Sequence, residues 1–352
     1  MSDPKLLALA ALSIAFLGAS CKLSGESEAQ ARPASSAGAG TGAAPKTALR
    51  GTRRGEAKRG NKGVLDVSFF VTADTHFGVG VPDDAPASRD PVKEPLGIEV
   101  SHTEIIRQMN SFEGHDFPGP LGDKLGKPRG VLIAGDLTEK GKDPQWASFR
   151  AYYGMNGKDG LLQMPAYEAV GNHDFWEIRE KVKKDRGALA YSFDWDDLHV
   201  VCLGEAPDDD DLAWLKSDLE RLEPDVPIVV FQHFPFTGPY SNTWFTRDGF
   251  DEKLGTILAN RRIVGFFHGH FHASGTYRWH GIDVYNVGSA KHAYKSFSVV
   301  RITHDTMKVA EWNWEQRRWW WWHKKPMRPG GEKEAFGMSG AGDAGPTPFT
   351  WR

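Results

Sequence analysis

Cysteine is scarce in this chain. Its 352 residues include two cysteines, Cys21 and Cys202, which lie far apart in the sequence. We therefore predict no disulfide and no cysteine-rich structural metal site. Cys202 lies inside an apolar segment, which indicates a small buried side chain rather than a reactive thiol.

Excess charge of either sign is also lacking. The chain has 43 lysines and arginines against 46 aspartates and glutamates, which gives a formal net charge of −3. Without a basic footprint, a nucleic acid partner is not expected. The sequence contains neither a Gly-x-Ser-x-Gly nor a His-Glu-x-x-His motif. It therefore gives no support for serine-hydrolase or zinc-peptidase chemistry.

The apolar run near the N-terminus, residues 6–17, is too short to span a bilayer and fits the core of a signal peptide. The Gly-Ala-Ser-Cys sequence at 18–21 follows it and resembles the lipobox of bacterial lipoproteins, although Gly18 stands where leucine is usual. The resemblance implies a signal peptide over residues 1–21 and a lipidated Cys21. We then expect export to the cell envelope, periplasmic or at the cell surface, with membrane association through this lipid. Ordinary signal-peptide cleavage near Ala19 is the alternative.

Composition divides the remaining chain into three parts. Residues 22–62 contain almost no large apolar side chains, which predicts a disordered linker. Residues 63–314 carry the patterns of a folded domain. Residues 315–352 form a tail that is first rich in tryptophan and arginine and then in glycine and proline. The tryptophans of the tail either lie at a membrane interface or cover the domain's own surface.

The domain begins with alternating strands and helices and ends in a series of strands. This order predicts an α/β fold with mixed sheets packed as a sandwich and flanked by helices. Strands are predicted at 64–73, 131–134, 164–170, 228–231, 263–267, 276–279, 282–287, 297–302 and 307–314, with a strand pair at 188–203. Helices are predicted at 99–109, 144–153, 208–222 and 251–259.

Polar side chains follow several of the predicted strands directly. The most distinctive case is Val-Gly-Asn-His-Asp at 170–174, where a glycine permits a tight turn after a buried strand. Ligands bind at the carboxyl ends of strands in open α/β sheets, so these side chains are expected to converge. They are Asp74, His76, Asp136, Asn172, His173, His233, His270 and His272.

Imidazoles, carboxylates and one amide oxygen without cysteine suit Mn, Fe or Zn as divalent ions. Within each of the pairs Asp74/His76 and His270/His272, the spacing of two residues directs both side chains to one side of a strand. Excluding His173, seven candidate ligands remain, too many for one ion. Two divalent metal ions that share one carboxylate would use all of them.

Asp-x-His, Gly-Asp, Gly-Asn-His-Asp, a lone histidine after a strand, and Gly-His-x-His occur in this order between Asp74 and His272. The series resembles the calcineurin-like metallophosphoesterase superfamily. The sequence Gly-Asp-Leu-Thr-Glu-Lys-Gly at 135–141, followed by Trp146 and Phe149, is similar to its cyclic-nucleotide phosphodiesterase branch. The resemblance implies a four-layer α-β-β-α sandwich with a binuclear metal centre at the strand ends.

The resemblance also assigns roles, residue by residue. One metal is bound by Asp74, His76 and His272, the second by Asn172, His233 and His270, and Asp136 bridges them. His173 contacts the phosphate and protonates the leaving oxygen. Glu139 stands where many family members have an aspartate that orients this histidine, and Asp174 is the alternative. His268 is expected to be structural, and His292 is a further candidate for the pocket.

These assignments predict a binuclear metal-dependent hydrolase of small phosphate esters, a phosphodiesterase or phosphomonoesterase. The nucleophile is a hydroxide that bridges the metals, and His173 is the general acid. The long segment 77–129 is expected to shape the substrate pocket. The alternatives are a nuclease and a non-catalytic metal-binding envelope lipoprotein. No protein partner can be inferred.

Overall fold

A computed structural model describes residue 63 and residues 65–86, 89–236, 238–240, 250–328, 333–338 and 349–350. The predicted signal peptide with Cys21 and the predicted linker 22–62 lie outside these residues. Within them, no helix is both long enough and apolar enough to cross a membrane.

The described chain contains helices and strands in the alternation that the sequence predicts, followed by a series of strands. The helices are α1 (Ile98–Asn110), α2 (Asp143–Tyr153), α3 (Trp176–Arg186), α4 (Asp209–Leu219) and α5 (Phe250–Leu258). The strands are β1 (Asp66–Thr72), β2 (Pro128–Ala134), β3 (Ala166–Ala169), β4 (Tyr191–Trp195), β5 (Leu198–Cys202), β6 (Ile228–Gln232), β7 (Ile263–His268), β8 (Gly275–Trp279), β9 (Ile282–Asn286), β10 (Ser296–Thr303), β11 (Thr306–Asn313), β12 (Arg318–Pro326), β13 (Ala335–Met338) and β14 (Phe349–Thr350).

The strands form two sheets of seven strands each. The first has the order β13-β12-β11-β10-β1-β2-β3, and the second has the order β14-β8-β9-β7-β6-β5-β4. Both are mixed: β1, β2 and β3 are parallel, as are β5, β6, β7 and β9, whereas β1 pairs with β10 in antiparallel fashion. The carboxyl ends of the parallel strands therefore carry the loops that follow β1, β2, β3, β6 and β7.

Three apolar cores hold four layers together. The central core lies between the sheets, where for example the Phe69 ring of β1 is 6.3 Å from the Phe267 ring of β7. A second core joins α1 and α2 to the outer face of the first sheet, and a third joins α4 and α5 to the outer face of the second. The predicted α-β-β-α sandwich is confirmed.

The tryptophan-rich segment is part of the first sheet. Strand β12 pairs with β11 over most of its length, and Trp321 is fully buried in the central core. Its indole Nε1 donates to Ser274 Oγ at 2.8 Å. The predicted domain end at residue 314 is therefore wrong. Burial of Trp320, Trp321 and Trp322 supports the alternative in which these rings cover the domain itself.

One helix was not predicted from the sequence, and one cysteine is buried as predicted. Helix α3 has no predicted counterpart, because it is strongly charged and buries only Ile178, Val182 and Arg186. Cys202 is a buried free cysteine, as expected, and burial raises the pKa of its thiol to about 12.

Candidate metal centre

The candidate ligand residues lie in loops with an uncommon backbone conformation. Asp74, His76, Asp136, His270 and His272 all have positive φ angles, between 46° and 70°. This region is sparsely populated by residues other than glycine, and such residues persist where the surrounding structure holds them. The left-handed turns direct successive polar side chains from the ends of β1, β2 and β7 into one space.

Hydrogen bonds between the loops hold these turns in place. The backbone N–H of His76 donates to the carbonyl oxygen of Asp136 at 2.9 Å. The N–H of His270 donates to both carboxylate oxygens of Asp74 at 3.0 Å. A Cβ on Gly269 would lie 2.7 Å from Asp74 Oδ2, so the Gly-His-x-His motif needs its glycine for this close approach.

The first ligand group consists of Asp74, His76, Asp136 and His272, whose ligand atoms lie within 4.8 Å of one another. His76 Nε2 is 3.1 Å from His272 Nε2. His272 Nε2 is 3.3 Å from Asp74 Oδ1, and His76 Nε2 is 3.6 Å from Asp136 Oδ2. Two imidazole nitrogens and two carboxylates therefore face a common point.

The second ligand group consists of Asp136, His233 and His270, joined by Asn172. Asn172 Oδ1 lies 3.0 Å from His233 Nε2 and 2.9 Å from His270 Nδ1. His233 Nε2 is 3.4 Å from Asp136 Oδ1. Asp136 thus presents one oxygen to each group, which is the position expected of a bridging carboxylate.

The geometry around His233 tests whether a cation fits. Its Nδ1 lies 2.9 Å from the carbonyl oxygen of Ala134, which can only accept, so Nδ1 donates. In the neutral ring Nε2 then carries a lone pair, and it faces Asn172 Oδ1, which is also an acceptor. Burial alone would lower the pKa of His233, but the carboxylates of Asp136 and Asp74 raise it to about 9. This site therefore favours a positive charge, and its donors suit a divalent metal.

The model for the calcineurin-like phosphoesterase family matches residues 67–274, which is more than half of the chain and includes both ligand groups. The chain belongs to the calcineurin-like phosphoesterase family. It is a metal-dependent hydrolase of phosphate esters.

The chain is also similar to individual proteins. The phosphoesterase is 22% identical over 206 residues to a Rhodococcus erythropolis protein named "Probable cyclic nucleotide phosphodiesterase", and the match covers 53% of this chain and 68% of that protein. Its fold is similar to that of GAP50, described as the anchor in the inner membrane complex of Plasmodium. The TM-score is 0.51 at 12% identity, and the match covers 75% of this chain and 90% of GAP50. A dimetal phosphatase from Danio rerio matches with a TM-score of 0.47, 13% identity, and coverage of 69% and 95% of the two chains.

His173 lies beside the candidate ligands and is half-buried. Its backbone N–H donates to Asp136 Oδ1 at 2.9 Å, and its ring lies 4.8 Å from the His76 ring. Its Nδ1 donates to the backbone carbonyl of Glu139 at 2.8 Å. A main-chain carbonyl thus orients this ring, whereas the sequence pointed to the carboxylates of Glu139 or Asp174 for this task.

The Glu139 carboxylate instead contacts His76, a candidate metal ligand, and Lys291. Its Oε2 lies 2.7 Å from His76 Nδ1, and its two oxygens lie 2.8 and 3.0 Å from Lys291 Nζ. Partial burial acts to raise the pKa of Glu139, but His76 and Lys291 outweigh it and lower the pKa to about 2. Carboxylates that hold the second nitrogen of a ligating histidine fix the orientation of its ring.

The Asp174 carboxylate is fully buried and connects two ligand loops. Oδ2 accepts from the N–H groups of Leu137 and Gly171, at 3.0 and 2.9 Å. Oδ1 accepts from the N–H and hydroxyl of Thr138, at 2.9 and 2.8 Å. Burial raises the pKa of Asp174 to about 6. These bonds hold the loop of Asp136 against the loop of Asn172 and His173, which is a positioning role.

The loop between β9 and β10 adds residues that the sequence patterns do not identify. Ser289 Oγ donates to the carbonyl of Asp74 at 3.1 Å and accepts from the N–H of Lys291 at 3.0 Å. These contacts place Lys291 against Glu139. No sequence motif marks this loop. The sequence did indicate His292 as a candidate for the pocket, and the His292 ring lies 4.6 Å from the His272 ring.

His268 is structural, as expected. It is fully buried, and its Nε2 lies 3.0 Å from the hydroxyl of Tyr277. Burial lowers its pKa to about 4, so the ring is neutral at physiological pH.

Proposed function

We propose that the phosphoesterase uses two divalent metal ions, Mn, Fe or Zn, to hydrolyse small phosphate esters. Asp74, His76 and His272 would hold one ion, and Asn172, His233 and His270 would hold the other. The observation that carries this proposal is the division of the Asp136 carboxylate, with Oδ2 toward His76 and Oδ1 toward His233. When bound, such a pair of ions supplies charge neutralisation at the phosphate and activation of the attacking water.

His173 is the general acid in this proposal. Because its Nδ1 donates to the Glu139 carbonyl, Nε2 is the nitrogen that carries the transferable proton. A leaving alkoxide needs that proton as the ester bond breaks. The hydrogen bonds at the backbone N–H and at Nδ1 keep the ring beside Asp136, so the acid is positioned before the substrate arrives.

The similarity to the Rhodococcus protein, named as a probable cyclic nucleotide phosphodiesterase, supports phosphodiesters as the first substrates to test. Phosphomonoesters are the alternative. A nuclease is disfavoured by the net charge of −3. The non-catalytic alternative is disfavoured because all seven ligand residues converge. Export and lipid anchoring through Cys21 remain part of the proposal, on the sequence pattern alone.

The test loads the purified protein separately with Mn, Fe(II) and Zn and compares p-nitrophenyl phosphate with bis-p-nitrophenyl phosphate. Asp136→Ala is the matched variant, because it removes the shared carboxylate. We expect two metal ions per chain and metal-dependent turnover, both lost in the variant. Two tightly bound ions and full turnover in Asp136→Ala would contradict the proposal. Faster hydrolysis of the diester would assign the protein to phosphodiesterases.

A further inference from the structure

A cavity of about 610 Å³ lies between the segment that follows β1 and the first turns of α2. Ala85 and several prolines within residues 78–86 and 89–91 form one wall, and Pro144 and Ala147 of α2 form the other. Its volume is within the range of about 300–1,000 Å³ that is usual for small-molecule sites. No residue proposed to ligate metal lines this cavity.

The cavity borders the two loops that carry His76 and the anchor of His173. Gly78, two residues after His76, lines it, and so does Lys140, the residue after Glu139. Backbone hydrogen bonds join these loops, since the N–H of Glu139 donates to the carbonyl of Phe77 at 2.9 Å. The Glu139 carbonyl accepts from His173 Nδ1, so the cavity adjoins the loop that anchors the proposed general acid.

The charged groups of the lining largely neutralise one another. Arg89 binds both oxygens of Glu99, at 2.7 and 2.9 Å. Lys140 Nζ lies 3.4 Å from the carboxylate of Asp83. Residues 142–143, at the start of α2, are exposed, where solvent screens their charges. The lining therefore does not favour a ligand group that carries a strong charge.

Two polar side chains on one face of α2 lack partners for part of their hydrogen-bonding capacity. Gln145 Oε1 accepts from the N–H of Lys140 at 2.8 Å, but within the described residues its Nε2 has no acceptor. Ser148 is nearly buried, and its hydroxyl makes no hydrogen bond to any described residue. Both line the cavity and are three residues apart, so they face the same way on the helix.

We propose that this cavity receives the leaving group of the phosphate ester, and that this group is a flat, uncharged aryl or heterocyclic alcohol. Its body packs between the proline walls, and its polar edge bonds to Gln145 and Ser148. The inference rests on the proposed function, because the leaving oxygen must lie beside His173 to take its proton. From the Nε2 side of His173, the leaving group then extends over the loop of Glu139 and Lys140 and into the cavity.

The experiment compares phenyl and 2-naphthyl esters, whose leaving groups have similar acidity but different size. The esters are phosphomonoesters or phosphodiesters, whichever class the full chain hydrolyses. Ala147→Trp fills the cavity from α2, Ala85→Trp fills it from the opposite wall, and Ala147→Ser is the size-matched control. For the wild type and for the control, kcat/KM should favour the naphthyl ester by about tenfold or more. Both tryptophan variants should abolish this preference, because the larger naphthyl ester loses more turnover than the phenyl ester, and their metal content should be unchanged.

The outcomes separate this inference from the proposed function. If the wild type shows no metal-dependent turnover of either ester, the proposed function itself is contradicted. A wild type that turns over both esters equally well would overturn the cavity assignment alone, and so would tryptophan variants that keep the preference. If Ala147→Trp loses its metals or its fold, Ala85→Trp and the milder Ala147→Leu replace it in the test. The measured quantity is again the ratio of kcat/KM for the naphthyl ester to that for the phenyl ester.

Discussion

Glu139 Oε2 lies 2.7 Å from His76 Nδ1, so a carboxylate outside the proposed ligand set contacts the far nitrogen of a proposed ligand. Lys291 holds the same carboxylate from the other side. The His76 ring is therefore fixed by a chain of contacts that begins in the loop between β9 and β10. With a metal ion at His76, this arrangement would couple metal binding to residues that no ligand motif contains.

Glu139→Gln should weaken metal binding at the His76 site by about 10- to 100-fold, because a neutral amide holds the imidazole less firmly. Titration of the metal-free protein with Zn or Mn measures the change. Glu113→Gln, at an exposed position, is the control and should bind metal as the wild type does. Unchanged affinity in Glu139→Gln would show that the carboxylate does not support His76.

His173→Ala should keep both metals and lose about 10²- to 10⁴-fold in turnover of alkyl esters, the usual contribution of a positioned proton donor. The loss should be much smaller for p-nitrophenyl esters, since p-nitrophenolate leaves without a proton. Steady-state kinetics on the two ester types, with metal content measured in parallel, provide the check. Equal losses for both leaving groups would rule out the general-acid role.

His199 makes the stability of the domain depend on pH. Its two ring nitrogens lie 2.8 Å from Asp194 and 3.0 Å from Asp218. Burial acts to lower the pKa of His199, but the two carboxylates outweigh it and raise the pKa. A histidine with a raised pKa in the folded state stabilises fully below its unfolded pKa of about 6.5, and this stabilisation is lost as pH rises through the folded pKa.

His199→Gln should therefore destabilise the domain more at about pH 5.5 than at about pH 9. Urea unfolding of both proteins at the two pH values measures this difference. At more acidic pH the effect should fade, because Asp218, whose pKa is lowered in the fold, becomes protonated. The same destabilisation at both pH values would mean that the ring contributes by packing alone.

Trp321→Ala should reduce the free energy of unfolding by about 3–5 kcal/mol, as is usual when a buried aromatic side chain is removed. The change also leaves Ser274 Oγ without its indole donor. Trp176→Ala is the matched control, since Trp176 is 68% exposed. Denaturant unfolding distinguishes them, and a loss in Trp321→Ala no larger than in the control would mean that β12 is not an integral strand.

Most of the architecture could be predicted from local patterns. The apolar segment 64–73 became β1 (Asp66–Thr72), and the helix predicted at 99–109 became α1 (Ile98–Asn110). Such elements bury an apolar face whose periodicity is visible in the sequence. Helix α3 was missed because only Ile178, Val182 and the aliphatic part of Arg186 contribute to its buried face. The sequence pattern predicts a tail over the segment of β12, because its tryptophans and cations do not alternate as in an ordinary strand.

The sequence by itself determined the family, the order of the strands that carry ligands, and the identity of the converging side chains, because each motif directly follows its own strand. Only the tertiary structure decided what supports them. Lys291 reaches Glu139 across 152 positions of chain, and Glu139 contacts His76 with its carboxylate while holding His173 with its carbonyl. The cavity between the segment that follows β1 and α2 is likewise formed by segments distant in sequence. Such contacts depend on how loops from different strands pack, and no local pattern encodes that packing.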